Sequence, residues 1–380
     1  MKAVIAIDSF KGSLDTLQSG RAVAEAILSV YPDAEVKVCP IADGGEGTVG
    51  AVVSSLDGEI CKVEVCGPLG ERVYAEYGVI PSKRLAVIEM SAAAGITLVP
   101  DGKRNPLNTT TYGVGELILH AIEKMGCRHF LIGIGGSATN DGGLGMLSAL
   151  GFEFLDKDGK RVSHFGEGLR DIARIDVGGC LPALLECSFK IACDVDNPLC
   201  GERGCSRIYG PQKGATEEII RDMDAWLSSY AALTKSVFKN ADASYPGAGA
   251  AGGLGFAFLA YLGASLTPGI ELVMRATELE KQIQDADIVV TGEGRLDAQT
   301  CMGKAPVGVA KAAKKYGKSV IAFSGAVTKD AGLCNEYGID AFFPIIPAPC
   351  SLKDAMDSEN AYTNLKNTAE QAFRLIKAFS

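Results

Sequence analysis

The chain opens on a short continuous apolar run, Ala3–Ile7, of the kind a parallel strand buried on both faces requires. Leu17, Val23, Ala24, Ile27 and Leu28 then recur at helical spacing. A second strand, Val36–Ile41, leads into a glycine turn at Asp43–Thr48 and a helix through Ala51–Leu56. Strand, loop and helix, twice over, predict a doubly wound α/β sheet. The pattern then changes. Cys61–Val65, Val73–Ile80 and Leu85–Met90 read as successive strands of a meander, separated by turns such as Gly67-Pro68-Leu69-Gly70. A helix near Gly113–Lys124, a strand at Phe130–Gly133 and a long amphipathic helix around Glu217–Phe238 follow. The opening pattern returns at the end, with strands at Ile288–Thr291, Val320–Phe323 and Ala341–Ile346 and helices at Val307–Tyr316 and Asn360–Phe379. The simplest assembly is a doubly wound parallel sheet domain built from both chain ends, residues 1–65 plus 285–380, with a second α/β domain inserted at 66–284. That layout predicts an active site in the cleft between the two.

Composition narrows the class. With 380 residues, 47% hydrophobic and 22% charged, the chain is a globular protein and not a disordered one. Glycine is the outlier: 46 residues is well above the usual share of about 7%, and the glycines cluster as they do where backbone must approach a ligand. The net charge of −9 and the absence of a Lys/Arg-rich run argue against nucleic acid as a partner. Twelve cysteines contain no Cys-x-x-Cys pair and many lie in apolar runs, which predicts reduced thiols and a cytoplasmic protein. Only His120, His129 and His164 are present, without metal-ligand spacing, so a His-based triad is not expected. The apolar run before Asp8 is too short for a signal-peptide core. The longest uncharged stretch, Ala243–Ile270, is broken by glycines and prolines, so no membrane partner is expected.

Six segments carry candidate chemistry. In Asp8–Leu14, directly after the first strand, Lys11 beside Gly12 and Ser13 forms an anion pocket, or else Ser13 merely caps a helix. Ala42–Thr48 supplies Asp43 and Glu46 around adjacent glycines. Gly133–Gly145 packs six glycines with Ser137, Thr139, Asn140 and Asp141 into thirteen residues; such a loop can wrap phosphates, and Asp141 can hold Mg²⁺. Asp194 and Asp196 follow an apolar strand, suited to Mg²⁺ binding or proton abstraction. Gly247–Gly255 suits either a ligand loop or close packing. Thr291–Pro306 crowds Glu293, Arg295, Asp297, Gln299, Thr300 and Lys304 into one loop. Asp141–Gly151 and Ala251–Gly263 echo each other as glycine turns opening apolar helices. No Walker A motif exists, since Gly303-Lys304 is followed by Ala305. Gly133, Gly135 and Ala138 satisfy the dinucleotide fingerprint, with Glu153 and Asp156 about twenty residues on. That keeps an NAD(P)-dependent hydroxy-acid dehydrogenase in view.

Taken together, DSFKGSL, ADGGEGT, GIGGSATNDGG, DVDNPL, GAAGGLG and TGEGRLDAQT, in this order, resemble the bacterial glycerate kinase family of the non-P-loop type. The resemblance covers essentially the whole chain and departs at no motif. It implies a Rossmann-like domain with a second α/β domain inserted. It also implies phosphorylation of D-glycerate by ATP with Mg²⁺, 2-phosphoglycerate being favoured over 3-phosphoglycerate, in organic-acid, glyoxylate or sugar-diacid breakdown. On that basis Lys11 and Arg295 are the candidate cations for carboxylate or phosphate, with Ser9 and Gln299 as further substrate contacts. Asp194 or Asp297 is the candidate base, and Asp196 and Asp141 are the candidate Mg²⁺ ligands. Gly135, Gly136, Ser137, Ala138, Thr139 and Asn140 form the candidate nucleotide cradle. A non-catalytic sugar-acid binding protein is the competing reading outside enzymes. A homodimer is the base-rate expectation.

Overall fold

The computed structural model describes residues 1–379, apart from the side chain of Met302. In chain order the strands are β1 (Lys2–Ile7), β2 (Glu35–Val38), β3 (Glu59–Cys66), β4 (Arg72–Ile80), β5 (Leu85–Glu89), β6 (His129–Gly133), β7 (Glu153–Leu155), β8 (Arg174–Asp176), β9 (Ser188–Ala192), β10 (Ser265–Thr267), β11 (Ile288–Leu296), β12 (Ser319–Val327) and β13 (Ala341–Pro344). Two compact units form: unit 1 from residues 1–43, 50–56 and 270–380, and unit 2 from 44–49 and 57–269.

Unit 1 is a five-stranded parallel sheet in the order β13-β12-β11-β1-β2. Both faces are covered, which is why its strands read as unbroken apolar runs. Val4, Ala6, Val289 and Ala322 pack into one core with Val307 and Ala310 of the helix Ala305–Lys314. Ala3, Ile5, Ile7, Val290 and Phe323 pack into the other, with Val23 and Ile27 of the helix Thr16–Val30 and Leu365 and Phe373 of the helix Ser358–Phe379. The helix Thr16–Val30 starts at a reciprocal cap. Asp15 Oδ1 accepts the Gln18 N–H at 2.7 Å, and the Asp15 N–H donates to Gln18 Oε1 at 3.0 Å. Asp15, not Ser13, is thus the cap.

The chain steps from β1 outward to β2 and returns as β11 on the other side of β1. In open parallel sheets that reversal leaves a crevice beyond the carboxyl ends of the strands, where ligands bind. Two of the strands there are longer than the apolar runs predict. β11 continues through Gly292–Leu296 and β12 through Ser324–Val327, with Glu293 opposite Ser324 and Arg295 opposite Ala326. Charged and glycine residues hide this extension from hydrophobic periodicity, yet ladder pairing makes it rigid.

Unit 2 holds a six-stranded sheet, β10-β9-β6-β5-β4-β3, with β3, β4 and β5 antiparallel and β5, β6, β9 and β10 parallel. The unit boundaries differ from the sequence expectation of 65/66 and 284/285. β3 pairs along its whole length with β4, so residues from Asp57 onward fold with unit 2. Ile270, Met274, Leu279 and Ile283 enter a unit 1 core, which moves the second boundary to 269/270.

The two echoed glycine turns meet inside unit 2. Gly142, Gly143, Gly252 and Gly253 all adopt positive φ. The Gly142 N–H donates to the Gly252 carbonyl at 2.9 Å, and a Cβ on Gly253 would lie 2.8 Å from Gly142 Cα. Only residues without side chains allow that approach. Gly247–Gly255 therefore serves close packing.

Candidate active site

A pocket of about 590 Å³ lies in unit 1 over the carboxyl ends of β1, β11 and β12. It gathers Ser9, Lys11, Arg295, Asp297 and Gln299, five of the residues expected from sequence, and adds Asp8, Asp43, Glu293 and Lys304. Four carboxylates and three cations thus share one cavity. The loop after β1 is shaped by a tight turn, in which the Ser13 N–H donates to the Phe10 carbonyl at 2.8 Å and Gly12 takes φ +78°. Ser13 also lines the pocket, and its buried hydroxyl finds no hydrogen-bond partner among the described residues.

The segment after Gly292 is held by a chain of hydrogen bonds. Thr300 Oγ1 donates to Glu293 Oε1 at 2.6 Å, and the Asp297 N–H donates to Thr300 Oγ1 at 3.2 Å. Asp297 Oδ1 accepts the N–H groups of Gln299 at 2.9 Å and Thr300 at 3.3 Å. Its Oδ2 lies 3.3 Å from Arg295 Nε. One oxygen of Asp297 is thereby fixed by backbone while the other points toward a cation. Lys304 Nζ sits 3.9 Å from Glu293 Oε2.

Asp8 is the buried centre of this group, only 4% exposed. Burial, the nearby Asp43 carboxylate and, more weakly, Glu293 push its carboxyl up to about 7, against the opposing pull of the Ser9 N–H and Lys11. Burial also raises Glu293 above the usual carboxylate range, moderated by Thr300 and Lys304. Crowded carboxylates held above their ordinary range are what a cation would relieve.

Mg²⁺ was expected on Asp141 and Asp196. The structure argues against both. Asp141 is fully buried, and its oxygens accept from Thr111 N–H at 2.8 Å, Thr111 Oγ1 at 2.7 Å, Gly143 N–H at 3.1 Å and Gly145 N–H at 3.2 Å. It holds the glycine loop together, and four protein donors already occupy its oxygens. Asp196 is exposed and pairs with Arg203 at 2.8 Å. Among the described residues no three His, Cys, Asp or Glu side chains converge to enclose a metal. A phosphate-bound Mg²⁺ needs only one or two protein carboxylates. Asp8, Asp43 and Glu293 supply hard oxygen donors of that kind.

The expected nucleotide cradle divides. Gly135 and Gly136 are exposed, whereas Ser137, Ala138, Thr139 and Asn140 are buried. Lys213, itself buried, donates to Ser137 Oγ at 2.8 Å and to the Thr139 carbonyl at 2.6 Å. Asn140 Nδ2 donates to Ser206 Oγ at 2.8 Å. Ser137 Oγ, the Thr139 carbonyl and Asn140 Nδ2 are thus engaged within unit 2, while the buried Thr139 Oγ1 and Asn140 Oδ1 find no hydrogen-bond partner among the described residues. The dinucleotide fingerprint fails, because the helix after β6 begins only at Leu144. Glu153 pairs with Arg161, and Asp156 accepts the N–H groups of Asp158 and Lys160. Asp194, in unit 2, is exposed and accepts the Gly269 N–H at 3.0 Å. It and Asp196 line no part of the pocket.

Sequence reasoning passed over Asp8 as a site residue and gave Lys213 no role. Asp8 had a signal, a single acid directly after a buried strand. Lys213, in the Pro211–Gly214 turn, had none.

Residues 3–377 match the glycerate kinase family. The chain belongs to that family. It is 47% identical to the glycerate kinase of Halalkalibacterium halodurans over 99% of this chain and 97% of that one. It is also 47% identical to the glycerate 2-kinase of Escherichia coli K12 over 96% and 95%. The crystal structure of a protein assigned as glycerate kinase 2 from Salmonella typhimurium LT2 superposes with a TM-score of 0.91 at 47% identity, covering 100% of this chain and 98% of the other. Family membership makes the chain a kinase and agrees with the α/β architecture. No helix among the described residues is long and apolar enough to cross a membrane.

Proposed function

We propose that this kinase transfers the γ-phosphoryl group of ATP to the 2-hydroxyl of D-glycerate, and that the unit 1 pocket is where it does so. One observation carries the reading: the β1/β11 reversal of a doubly wound sheet is lined with both cations and carboxylates, four of them on the rigid extension of β11 or just after it. Phosphoryl transfer needs charge neutralisation and positioning more than covalent chemistry. Lys11, Arg295 and Lys304 offset anionic charge on substrate carboxylate and phosphate. Asp297, with Oδ1 held by two backbone N–H groups, presents Oδ2 to take the proton of the attacking hydroxyl. Ser9, Ser13 and Gln299 orient the small hydroxy acid by hydrogen bonds. Mg²⁺, held through Asp8, Asp43 or Glu293, supplies charge neutralisation at the phosphates. The 2-position is favoured because a relative at 47% identity is a glycerate 2-kinase. The same reading puts the enzyme in the cytoplasm, acting on glycerate released by organic-acid or sugar-diacid breakdown.

The test is a single reaction of the purified protein with D-glycerate, ATP and Mg²⁺, followed by phosphorus NMR. A 2-phosphoglycerate resonance is expected. A 3-phosphoglycerate resonance would keep the kinase and overturn the regiochemistry. Intact ATP and no phosphoglycerate would overturn the proposal.

A further inference from the structure

The pocket is too large and too divided for glycerate alone. Three bonded carbons span only on the order of 3–4 Å, whereas the cavity holds about 590 Å³. Its lining separates by strand. The charged residues come from β11 and from the segments after β1, β2 and β11. The opposite side is apolar and comes from the segment after β13: Ile345, Ile346, Leu352, Ala355 and Met356. Between them the floor is Gly294, Gly325 and Ala326. Because the sheet order is β13-β12-β11-β1, the pocket runs across three strand spacings, on the order of 14 Å.

The apolar side has a feature that ordinary packing does not require. Leu352 is 78% exposed and Met356 39% exposed, on a short helix, Leu352–Met356, that Ser351 caps by accepting the Asp354 N–H at 3.1 Å. Met356 reaches over the loop after β1, where its Cε would lie 2.8 Å from a Cβ on Gly12. Two large apolar side chains stand in water beside a polyionic cavity, and the small residues between leave a flat passage from one to the other.

We propose that this apolar end takes the nucleoside of ATP, with the base lying against Leu352 and Met356 and the phosphates running over Gly294 and Gly325 toward Lys11, Arg295 and Lys304. The proposal rests on the kinase reading above. It assigns the nucleotide to unit 1, at the sheet edge rather than at the glycine loop after β6. A pocket that is mostly apolar, with a few convergent polar groups at one end, is the general form of a small-molecule site.

The experiment uses L352S, M356S and the double variant of the full chain. Both side chains are exposed, so folding is retained and is checked by an unchanged melting temperature. Steady-state KM values are measured separately for ATP and D-glycerate. Binding of a nonhydrolysable ATP analogue and of inorganic tripolyphosphate is measured by calorimetry. The expected result is a KM for ATP raised about tenfold in the double variant, from lost apolar contact. The KM for D-glycerate should stay within twofold, the analogue should bind correspondingly more weakly, and tripolyphosphate should bind unchanged. An unchanged ATP KM and analogue affinity, or equal weakening of analogue and tripolyphosphate, would overturn the proposal. If the wild type proves inactive on glycerate, the function reading fails by itself, and analogue binding in wild type against variant still decides this one.

Discussion

Replacing Asp8 by Asn should make the protein more stable and less active. The carboxyl of Asp8 is buried beside Asp43 and Glu293 and is pushed from its ordinary 3.8 to about 7. Between those values the native state holds a proton that the unfolded chain has released, so stability falls as pH rises through that window and levels out above about 7. At 1.36 kcal/mol per tenfold in proton affinity, the ionised side chain costs about 4 kcal/mol at pH 8. Asn keeps the shape and can still accept the Ser9 N–H, which Asp8 Oδ1 accepts at 2.7 Å. It still carries the cost of burying a polar group, so about half the gain should survive, about 2 kcal/mol, or about 4–8 °C in the Tm of a unit of this size. Melting curves of wild type and D8N at pH 8 and pH 5, without divalent cation, measure it. The advantage of D8N should shrink to under half at pH 5, where wild-type Asp8 is largely protonated in the native state. Turnover should fall in the same variant, as expected where a site is held at a cost to stability. A D8N protein no more stable than wild type at pH 8, or a gap independent of pH, would refute the reasoning.

Asp297→Asn should lower kcat by about 100- to 10,000-fold while leaving the KM for glycerate within a few-fold, read by coupled ADP release; near-normal turnover would move the base elsewhere. Lys213→Met should destabilise by about 1–3 kcal/mol in urea titration, because Ser137 Oγ and the Thr139 carbonyl lose their donor. Burial lowers the Lys213 ammonium to about 8 from 10.5, so the unfolded chain holds that proton longer and wild-type stability should rise between those pH values. The Met variant should lack that rise.

Much of the sheet was legible because parallel strands buried on both faces cannot hide their apolar runs, as in Ala3–Ile7 and Ile288–Thr291. The extension of β11 was not, because Gly292–Leu296 carries Glu293 and Arg295 on the strand itself, and charge breaks the pattern. The site was half legible. Ser9, Lys11, Arg295, Asp297 and Gln299 stood out as candidates because they lie at or just beyond strand ends, which a doubly wound sheet brings to one side. Asp141 misled because its partner, Thr111, lies thirty residues away, and no local spacing shows that its oxygens are already bonded. Lys213 escaped notice for the same reason: its hydrogen bonds reach back 74 and 76 residues, to Thr139 and Ser137.

Assembly of the unit 1 sheet from both ends of the chain has a consequence for synthesis on the ribosome. β1 finds β2 early, but Ala3–Ile7 pairs on its other side with residues 288–292, about 285 positions later. At about 5–20 residues per second the apolar first strand waits on the order of 15–60 s for that partner, while unit 2 has already emerged. A nascent chain stalled before residue 288 should therefore carry a protease-resistant unit 2 behind a protease-sensitive N-terminal segment. The proposed reaction site, gathered around the ends of β1 and β11, should form only at the end.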